Sequence, residues 1–304
     1  MTRVAAVDCG TNSIRLLVSD IDGDRKTDLV REMRIVRLGE GVDETGRLAT
    51  GAIERTVAAT REYAEAIAGL DVERIAFCAT SAARDAENAE EFAAAVEAVL
   101  GVRPVVLDGV EEARRSFLGA ARDLELSGSA LVTDIGGGST EVIVGEGEEV
   151  ASAVSLDIGS VRLTERFLAT DPPTAAEVAA TAALVDEALW PVVEQAGPVE
   201  AVVGVAGTVT TVAAHALGLP AYDSTAIHGA VIDAGRVREA CADLVGMRVA
   251  ERRTLGFMHP GRADVIGGGA VILDRLLDLL GASSLTVSER DILDGIAWAA
   301  AGQP

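Results

Sequence analysis

The sequence predicts an α/β protein built from two similar domains, and three observations lead to that prediction. The chain has 304 residues, a length that suggests about two domains of ordinary size. Apolar runs typical of strands alternate along the chain with segments of helical periodicity. A short strand–turn–strand unit near the start occurs again at about residue 130, close to the start of the second half.

The repeated unit is a tight turn between two apolar strands. Both copies have the pattern D-x-G-x-x-S, in the first turn (residues 8–13) and the second turn (residues 134–139). Superposing the copies aligns their aspartates, first glycines and serines: Asp8 with Asp134, Gly10 with Gly136, and Ser13 with Ser139. The same unit near the start of each half indicates two domains of one design.

The remaining elements alternate between strands and helices. Apolar spacing predicts helices at residues 53–70, 84–100, 111–124, 208–217, 235–249, 262–280 and 288–300. Short apolar runs predict strands at residues 4–7, 14–19, 74–79, 105–107, 130–133, 142–144, 199–205 and 285–287. A capping box, Thr174 with Glu177, opens a further helix towards residue 195.

The predicted domain boundary lies between residues 126 and 127. A Ser-Gly-Ser sequence at residues 127–129 favours this position, and the Pro-Pro pair at 172–173 is the alternative break. The prediction is therefore an N-terminal domain of residues 1–126 and a C-terminal domain of residues 127–304.

The charge of the chain limits its partners. A formal net charge of −22 repels polyanions, so we expect no binding to nucleic acid and none to anionic membranes. An anionic substrate would have to be attracted locally, by backbone N–H groups, a few arginines and a metal ion. No apolar run approaches the ~20 residues of a membrane helix, and no leader segment is recognisable. We therefore expect a cytoplasmic protein.

The cysteines and histidines do not predict a metal site. The three cysteines lie far apart and form no CxxC pair, which favours free thiols in a reducing compartment. The three histidines have no ligand spacing. Any metal ion should accordingly be a hard one, bound by oxygen atoms.

The two turns predict a phosphate site. A turn rich in Gly and Ser can direct several backbone N–H groups at one anion, and the aspartate at the strand end can hold Mg²⁺. A glycine-rich hairpin turn without function is the alternative for a single copy, but two copies in register favour phosphate. The sequence has no GK[ST] motif, and a strand follows each turn, so neither is a P-loop or a dinucleotide fingerprint.

A third segment with acidic residues begins a predicted helix. The sequence D-G-V-E-E-A occupies residues 108–113, at a strand-to-helix junction. A carboxylate there could act as a general base. Alternatively, it could only stabilise the helix N-terminus through the macrodipole.

Seven motifs together resemble the exopolyphosphatase/guanosine pentaphosphate phosphatase family. They are D-C-G-T-N-S-I-R-L-L-V (8–18), A-T-S-A-A-R-D-A-E-N (79–88), G-V-E-E-A (109–113), D-I-G-G-G-S-T-E (134–141), S-L-D-I-G-S-V-R-L (155–163), G-V-A-G-T-V-T-T (204–211) and R-A-D-V-I (262–266). The resemblance implies two ribonuclease-H-like domains of the actin-like ATPase and sugar kinase superfamily. It also implies an active site in the interdomain cleft, and a homodimer.

The resemblance implies roles for individual residues. Glu112 matches the general base, with Glu111 the less favoured candidate, and Arg15 and Arg84 match arginines near the anion. The expected ligands of Mg²⁺ or Mn²⁺ are Asp8, Asp134 and Glu141. The expected phosphate-binding residues are Gly10, Thr11, Asn12 and Ser13 in the first turn and Gly136, Gly137, Gly138 and Ser139 in the second.

Several alternatives remain open at the level of the sequence. The first-choice substrate is inorganic polyphosphate, attacked at its terminal phosphate by water, and guanosine pentaphosphate is the competing substrate. The glycine run at residues 267–269 departs from the family pattern and would suit an ATP-binding kinase or ATPase. A non-catalytic regulator is a fourth reading. Arg162 could reach a distal phosphate or form a structural salt bridge, and Arg262 could pair with Asp264.

Overall fold

The computed structural model describes residues 1–124 and 128–302, which form two compact units. Unit 1 comprises Met1–Gly119 and Ile292–Pro304, and unit 2 comprises Ala120–Asp291. The predicted boundary between residues 126 and 127 lies outside the described residues. The C-terminal segment belongs to unit 1, whereas the sequence placed it in the second domain.

The elements follow one another in an alternating order. The strands are β1 (Thr2–Cys9), β2 (Ser13–Asp22), β3 (Arg25–Ile35), β4 (Arg74–Ala79), β5 (Val105–Val106), β6 (Ser129–Ile135), β7 (Thr140–Glu146), β8 (Glu149–Leu156), β9 (Ala201–Val205), β10 (Val231–Asp233) and β11 (Ser284–Val287). The helices are α1 (Val42–Thr45), α2 (Thr50–Ala68), α3 (Ser81–Arg84), α4 (Ala89–Leu100), α5 (Gly109–Leu124), α6 (Ser160–Phe167), α7 (Ala175–Ala196), α8 (Ala206–Ala216), α9 (Ser224–Ile227), α10 (Ala234–Gly246), α11 (Val249–Arg252), α12 (Ile266–Leu280) and α13 (Ile292–Ala300).

The sheet of unit 1 has the strand order β3-β2-β1-β4-β5. The first three strands form an antiparallel meander, and β4 and β5 continue the sheet parallel to β1. Both faces of β1 are buried, because Val7 and Cys9 join one apolar core while Val4 and Ala6 join another on the opposite face. The end of β1, which carries the first turn, is thereby fixed by packing on both sides.

The C-terminal helix α13 completes unit 1. Its apolar residues pack with Val4 and Ala6 against the sheet. Its Asp294 is fully buried and accepts hydrogen bonds from Arg31, at 2.6 Å, and contacts Lys26 at 2.8 Å. Burial alone would raise the pKa of Asp294, but the charges of Arg31 and Lys26 outweigh it and hold the pKa below its ordinary value. The ion pairs fasten α13 to the β2–β3 hairpin.

The sheet of unit 2 repeats the plan of unit 1. Its strand order is β10-β11-β9-β6-β7-β8, in which β6, β7 and β8 form an antiparallel meander. Strands β9 and β11 run parallel to β6, and β10 pairs antiparallel at the edge. Helices α7, α8, α10 and α12 supply its apolar core. The predicted α/β class with two similar, ribonuclease-H-like mixed sheets is confirmed.

Most predicted elements exist, with corrections at their ends. Strand β4 has the predicted bounds, and Thr174 caps α7 with the predicted capping box. The single helix predicted at residues 84–100 was wrong, because α3 ends at Arg84 and α4 begins only at Ala89. The helices predicted from residues 262 and 288 begin four residues later in each case, at Ile266 and Ile292.

Candidate active site

Each of the two turns contains the same internal hydrogen bond, in addition to the same sequence pattern. In the first turn the Gly10 N–H donates to the Ser13 carbonyl oxygen over 2.9 Å. In the second turn the Gly136 N–H donates to the Ser139 carbonyl oxygen over 3.0 Å. An antiparallel strand pair leads into each turn and away from it. The repeat seen in the sequence is thus a repeat of backbone structure.

The second turn directs its amide groups to one side. Backbone N–H groups at the start of α6 donate to the carbonyl oxygens of Gly136 and Gly137, at 2.9 Å for the shorter contacts. The Arg162 Nε donates to the Gly138 carbonyl oxygen over 2.8 Å. A trans peptide points its C=O and N–H in opposite directions, so the N–H groups of residues 137–139 point away from α6. Three successive amides in this arrangement form an anion-binding nest.

The first turn is held in the same way by a different segment. The Gly39 N–H donates to the Thr11 carbonyl oxygen over 2.9 Å. The N–H groups of Val36 and Arg37 donate to the Asn12 carbonyl oxygen at 3.0 and 2.9 Å. The N–H groups of residues 12–13 therefore point to the opposite side. The Thr11 hydroxyl lies 2.9 Å from the Ser81 hydroxyl, a contact that ties this turn to the start of α3.

The residues opposite the two aspartates differ in charge. Asp8 lies across from Arg15 in the β1–β2 pair, and Arg15 donates to the Asp8 Oδ2 from Nε at 2.9 Å and from Nη2 at 2.7 Å. Asp134 lies across from Glu141 in the β6–β7 pair. The first aspartate thus has a guanidinium partner on the neighbouring strand, and the second has another carboxylate.

The Asp134–Glu141 pair is buried. Asp134 is 6% exposed and Glu141 is 1% exposed. Ser155 on β8 donates from its hydroxyl to the Glu141 Oε1 over 2.7 Å. Directly opposite residues of an antiparallel pair lie on the same face, and two like charges there destabilise the sheet. A cation bound between them would remove that destabilisation.

The donor atoms fit magnesium better than zinc. Within residues 1–124 and 128–302, no group of three or more His, Cys, Asp or Glu side chains is arranged to hold a metal ion by itself. Mg²⁺ commonly takes only one or two carboxylates and completes its shell with water and substrate phosphate oxygens. Asp134 and Glu141, beside an anion-binding turn, meet that requirement. Asp8 would have to share its carboxylate with Arg15.

Glu111 and Glu112 have different surroundings at the start of α5. Glu112 is 7% exposed, and its Oε2 accepts a hydrogen bond from the Arg84 Nη1 over 2.8 Å. The same Arg84 nitrogen donates to the Leu107 carbonyl oxygen over 3.1 Å. The side chain of Glu111 is 42% exposed and accepts from Arg115, one helical turn further along. Of these two neighbouring glutamates, Glu112 is the buried and oriented one.

Cys9, at the end of β1, is unsuited to nucleophilic attack. Its side chain is fully buried, and burial raises the pKa of the thiol well above its ordinary value. The protonated thiol is a poor nucleophile. A hydrolytic mechanism without a covalent intermediate remains the better interpretation.

Close helix packing accounts for the glycine run at residues 267–269. All three glycines are buried in the first turn of α12. A Cβ at Gly268 would lie 2.7 Å from the Ser160 carbonyl oxygen in α6, and one at Gly269 would lie 2.5 Å from the Thr208 Cγ2 in α8. The glycines let α12 approach these helices, so they are no evidence for a nucleotide site.

Sequence reasoning missed the supports of the second turn. Helix α6 was not predicted, and neither was the contact from Ser155 to Glu141. Arg162, left open between a phosphate and a salt bridge, holds the Gly138 carbonyl. Arg262 donates to the Thr211 hydroxyl over 3.0 Å. Ser155 and Arg162 lie in the motif at residues 155–163, and this motif is the sequence signal from which a role for them could have been predicted.

The chain belongs to the Ppx/GppA phosphatase family, whose model matches residues 17–301. A protein of Mycobacterium tuberculosis named Exopolyphosphatase 2 is 49% identical to it, over 99% of this chain and 99% of that protein. A protein of Photobacterium profundum named Guanosine-5'-triphosphate,3'-diphosphate pyrophosphatase is 36% identical, over 67% of this chain and 42% of its own length. The resemblance drawn from the sequence motifs is confirmed.

Solved structures have the same fold. The crystal structure of an exopolyphosphatase-like protein matches with a TM-score of 0.94 and 43% identity, over 98% of this chain and 97% of the other. A Ppx/GppA family member from Aquifex aeolicus matches with a TM-score of 0.83 and 34% identity, over 97% and 96% of the two chains. Among the described residues, no helix is both long and apolar enough to cross a membrane.

Proposed function

We propose that this chain is an exopolyphosphatase that releases the terminal orthophosphate of inorganic polyphosphate by direct attack of water. The observation that carries the proposal is the second turn, where three amides facing one way adjoin a buried pair of carboxylates. An anion nest next to a cation site suits a magnesium-bound phosphate. The relation to Exopolyphosphatase 2 over the whole chain supports polyphosphate as the substrate.

In this proposal Glu112 is the general base. Its carboxylate orients the attacking water and accepts its proton. Arg84, bonded both to Glu112 and to the Leu107 carbonyl, holds that carboxylate in one orientation and stabilises its ionised form. Arg84 acts as a positioning residue by this contact, and the prediction that it also lies near the anion stays a prediction.

The turns bind the phosphates. The N–H groups of residues 137–139 receive the oxygens of the transferred phosphoryl group, and those of residues 12–13 receive a second set. Arg15 balances the charge of Asp8 in the first turn, so that turn can approach an anion without a metal ion. Arg162 and α6 fix the second turn, which keeps its amides pre-oriented.

Mg²⁺ or Mn²⁺ is the proposed cofactor. Asp134 and Glu141 would hold it, and Ser155 would orient Glu141. When bound, the metal ion would neutralise negative charge on the terminal phosphate. Asp8 stays a predicted ligand, as the weaker one, because Arg15 already engages its Oδ2. The interdomain cleft, the homodimer and the cytoplasmic location also stay predictions.

Guanosine pentaphosphate hydrolysis is the second candidate function. The relation to the Photobacterium profundum protein favours it, since that protein's name describes action on guanosine 5'-triphosphate 3'-diphosphate. The bond broken, a terminal phosphoanhydride, would be the same. The ATP-binding kinase reading has lost its structural basis, because residues 267–269 serve helix packing.

A phosphate-release assay tests the function. Polyphosphate, guanosine pentaphosphate and ATP are offered side by side, with Mg²⁺ and after exhaustive treatment with EDTA. We expect the highest kcat/KM with polyphosphate, complete loss without a divalent ion, and recovery with Mg²⁺ or Mn²⁺. Activity that survives EDTA would contradict the metal, and release from ATP alone would contradict the substrate.

A further inference from the structure

Tyr222 is an exposed aromatic residue with an anchored hydroxyl group. The residue is 41% exposed. Its hydroxyl donates to the Glu289 Oε1 over 2.6 Å. Burial of the oxygen and the charge of Glu289 raise the pKa of Tyr222, so the phenol stays neutral. The ring is therefore fixed at its polar end while much of the residue faces solvent.

The loop that carries Tyr222 is also fixed. A Cβ on Gly256 would collide with the Pro220 carbonyl oxygen, so the two backbone segments touch. On the other side of the tyrosine, Asp223 caps α9 by accepting N–H bonds from Thr225 and Ala226. Backbone contacts on both sides thus set the position of the ring before any ligand arrives.

Tyr222 lies at the same edge of the sheet as the second turn. Strands β6, β9 and β11 are parallel neighbours, so their carboxyl ends share one edge. The second turn follows β6, Thr210 lies near the start of α8 directly after β9, and Glu289 follows β11. Glu289, which holds the Tyr222 hydroxyl, is therefore two strands away from the second turn, or about 10 Å across the sheet.

A guanidinium packs against the start of α8. The guanidinium of Arg262 packs against Gly207, where a Cβ would collide with it, and donates to the Thr211 hydroxyl. Arg262 also interacts electrostatically with Tyr222. An aromatic ring and a guanidinium at the same edge of a sheet suit a planar base that carries phosphates.

We propose that the Tyr222 ring is a stacking platform for the base of a nucleoside polyphosphate whose phosphates bind the second turn. The inference rests on the proposed function and deepens it, because it assigns discrimination between substrates to one residue. Every nucleobase has a face that stacks on an aromatic ring, whereas inorganic polyphosphate has none. Tyr222 should therefore strengthen the binding of nucleotides and leave the binding of inorganic polyphosphate unchanged.

The test compares two inhibitors that differ only in the nucleoside. Inhibition constants of GTP and inorganic tripolyphosphate are measured against polyphosphate hydrolysis, for wild type, Tyr222→Ala and Tyr222→Phe. Trp190→Ala is the matched control, because Trp190 is an exposed aromatic of the same unit, on α7. Tyr222→Ala should raise the inhibition constant of GTP about tenfold, as expected for the loss of one stacking contact. Tripolyphosphate inhibition and the KM for polyphosphate should change less than twofold.

The remaining variants separate stacking from a distorted loop. Tyr222→Phe keeps the ring and loses the anchor, so its inhibition constant for GTP should lie closer to wild type than that of Tyr222→Ala. Trp190→Ala should leave both inhibitors unchanged. Equal weakening of both inhibitors in Tyr222→Ala, or no weakening of GTP, would overturn the proposal.

Failure of the proposed function has a different signature. In that case the wild-type protein releases no phosphate from polyphosphate, and calorimetric titration with GTP and tripolyphosphate replaces the inhibition assay. The proposal holds if Tyr222→Ala selectively weakens GTP binding in that titration. It is overturned if wild type binds GTP no more tightly than tripolyphosphate.

Discussion

Units 1 and 2 carry the same turn, but the residue across the strand pair from its aspartate has the opposite charge. Each turn has the Gly N–H to Ser carbonyl bond and carbonyl groups held from one side. In unit 1 the aspartate faces Arg15 across the strand pair, but in unit 2 the aspartate faces Glu141. The backbone can bind an anion in both copies. In the second copy the residue across from the aspartate is itself a carboxylate, an arrangement that suits a cation.

The same contrast applies to the remaining candidate residues. Glu112 in unit 1 is bonded to Arg84, as Asp8 is bonded to Arg15. Glu141 in unit 2 accepts a hydrogen bond from the neutral hydroxyl of Ser155. The two turns thus have the same backbone structure but different charged residues around it. We infer that Glu112 is the base and that the Asp134–Glu141 pair holds the cation.

The largest expected effect concerns the base. Glu112→Gln keeps the size of the side chain but removes its ability to accept a proton. It should lower kcat by about 10²- to 10⁴-fold, the usual contribution of a positioned general base. The half-saturating Mg²⁺ concentration should stay the same, because Glu112 is not among the proposed ligands of the metal ion.

The matched control for the base is the preceding residue. Glu111→Gln alters an exposed carboxylate that pairs with Arg115, and it should change kcat much less. Equal losses in the two variants would show that our assignment within the pair is wrong. If neither variant loses activity, the water is activated elsewhere and Glu141 is the next candidate.

A smaller effect is expected from the hydrogen bond to Glu141. Ser155→Ala removes the donor that orients this carboxylate. The half-saturating Mg²⁺ concentration should rise about tenfold, the lower end of the usual effect of an outer-shell partner. Ser152→Ala, the same change on the same strand, lies opposite Val144 and should leave Mg²⁺ dependence unchanged. If both variants match wild type in a Mg²⁺ titration, the proposal that Glu141 binds the metal ion is contradicted.

The two turns should also tolerate a methyl group differently. A Cβ on Gly10 would lie 3.7 Å from the Ser13 carbonyl oxygen, an ordinary contact. On Gly136 it would lie 3.1 Å from the Ser139 carbonyl oxygen, so the backbone would have to move. Gly136→Ala should lower the free energy of unfolding by about 1 kcal/mol more than Gly10→Ala, as mild overpacking does. Denaturant unfolding of both variants gives the comparison, and the reverse order would refute it.

The smallest expected effect is that of salt. The net charge of −22 repels a polyanion at long range, and added salt screens that repulsion. The KM for long polyphosphate should therefore rise only weakly as salt increases, in a plot of log KM against log salt concentration. A steep rise would show that a local track of arginines dominates capture.

The sequence predicted the backbone repeat well because turns and apolar strands are local features. The matched turns and the capping box of Thr174 followed from residues close together in the chain. Strand β3 was missed because its residues alternate in burial, with charged side chains on both faces, and leave no apolar run. The return of α13 to unit 1 depends on ion pairs with Lys26 and Arg31, more than 250 residues away.

The site was predictable in its residues but not in their partners. The motif resemblance named Asp8 and Glu112 as functional, yet no local pattern showed that arginines would hold both. Those pairs depend on strand register and on the approach of α3 to α5. The burial of residues 267–269 against α6 and α8 likewise required the packed structure.

The most direct test of the contrast between the two turns is a measurement of Mn²⁺ binding by electron paramagnetic resonance. Wild type, Glu141→Gln and Asp8→Asn are titrated with Mn²⁺ in the presence of orthophosphate. If the carboxylate pair of unit 2 holds the cation, Glu141→Gln should weaken Mn²⁺ binding at least about tenfold. Asp8→Asn should weaken it far less, because Asp8 is bonded to Arg15. A larger loss in Asp8→Asn than in Glu141→Gln would contradict the account.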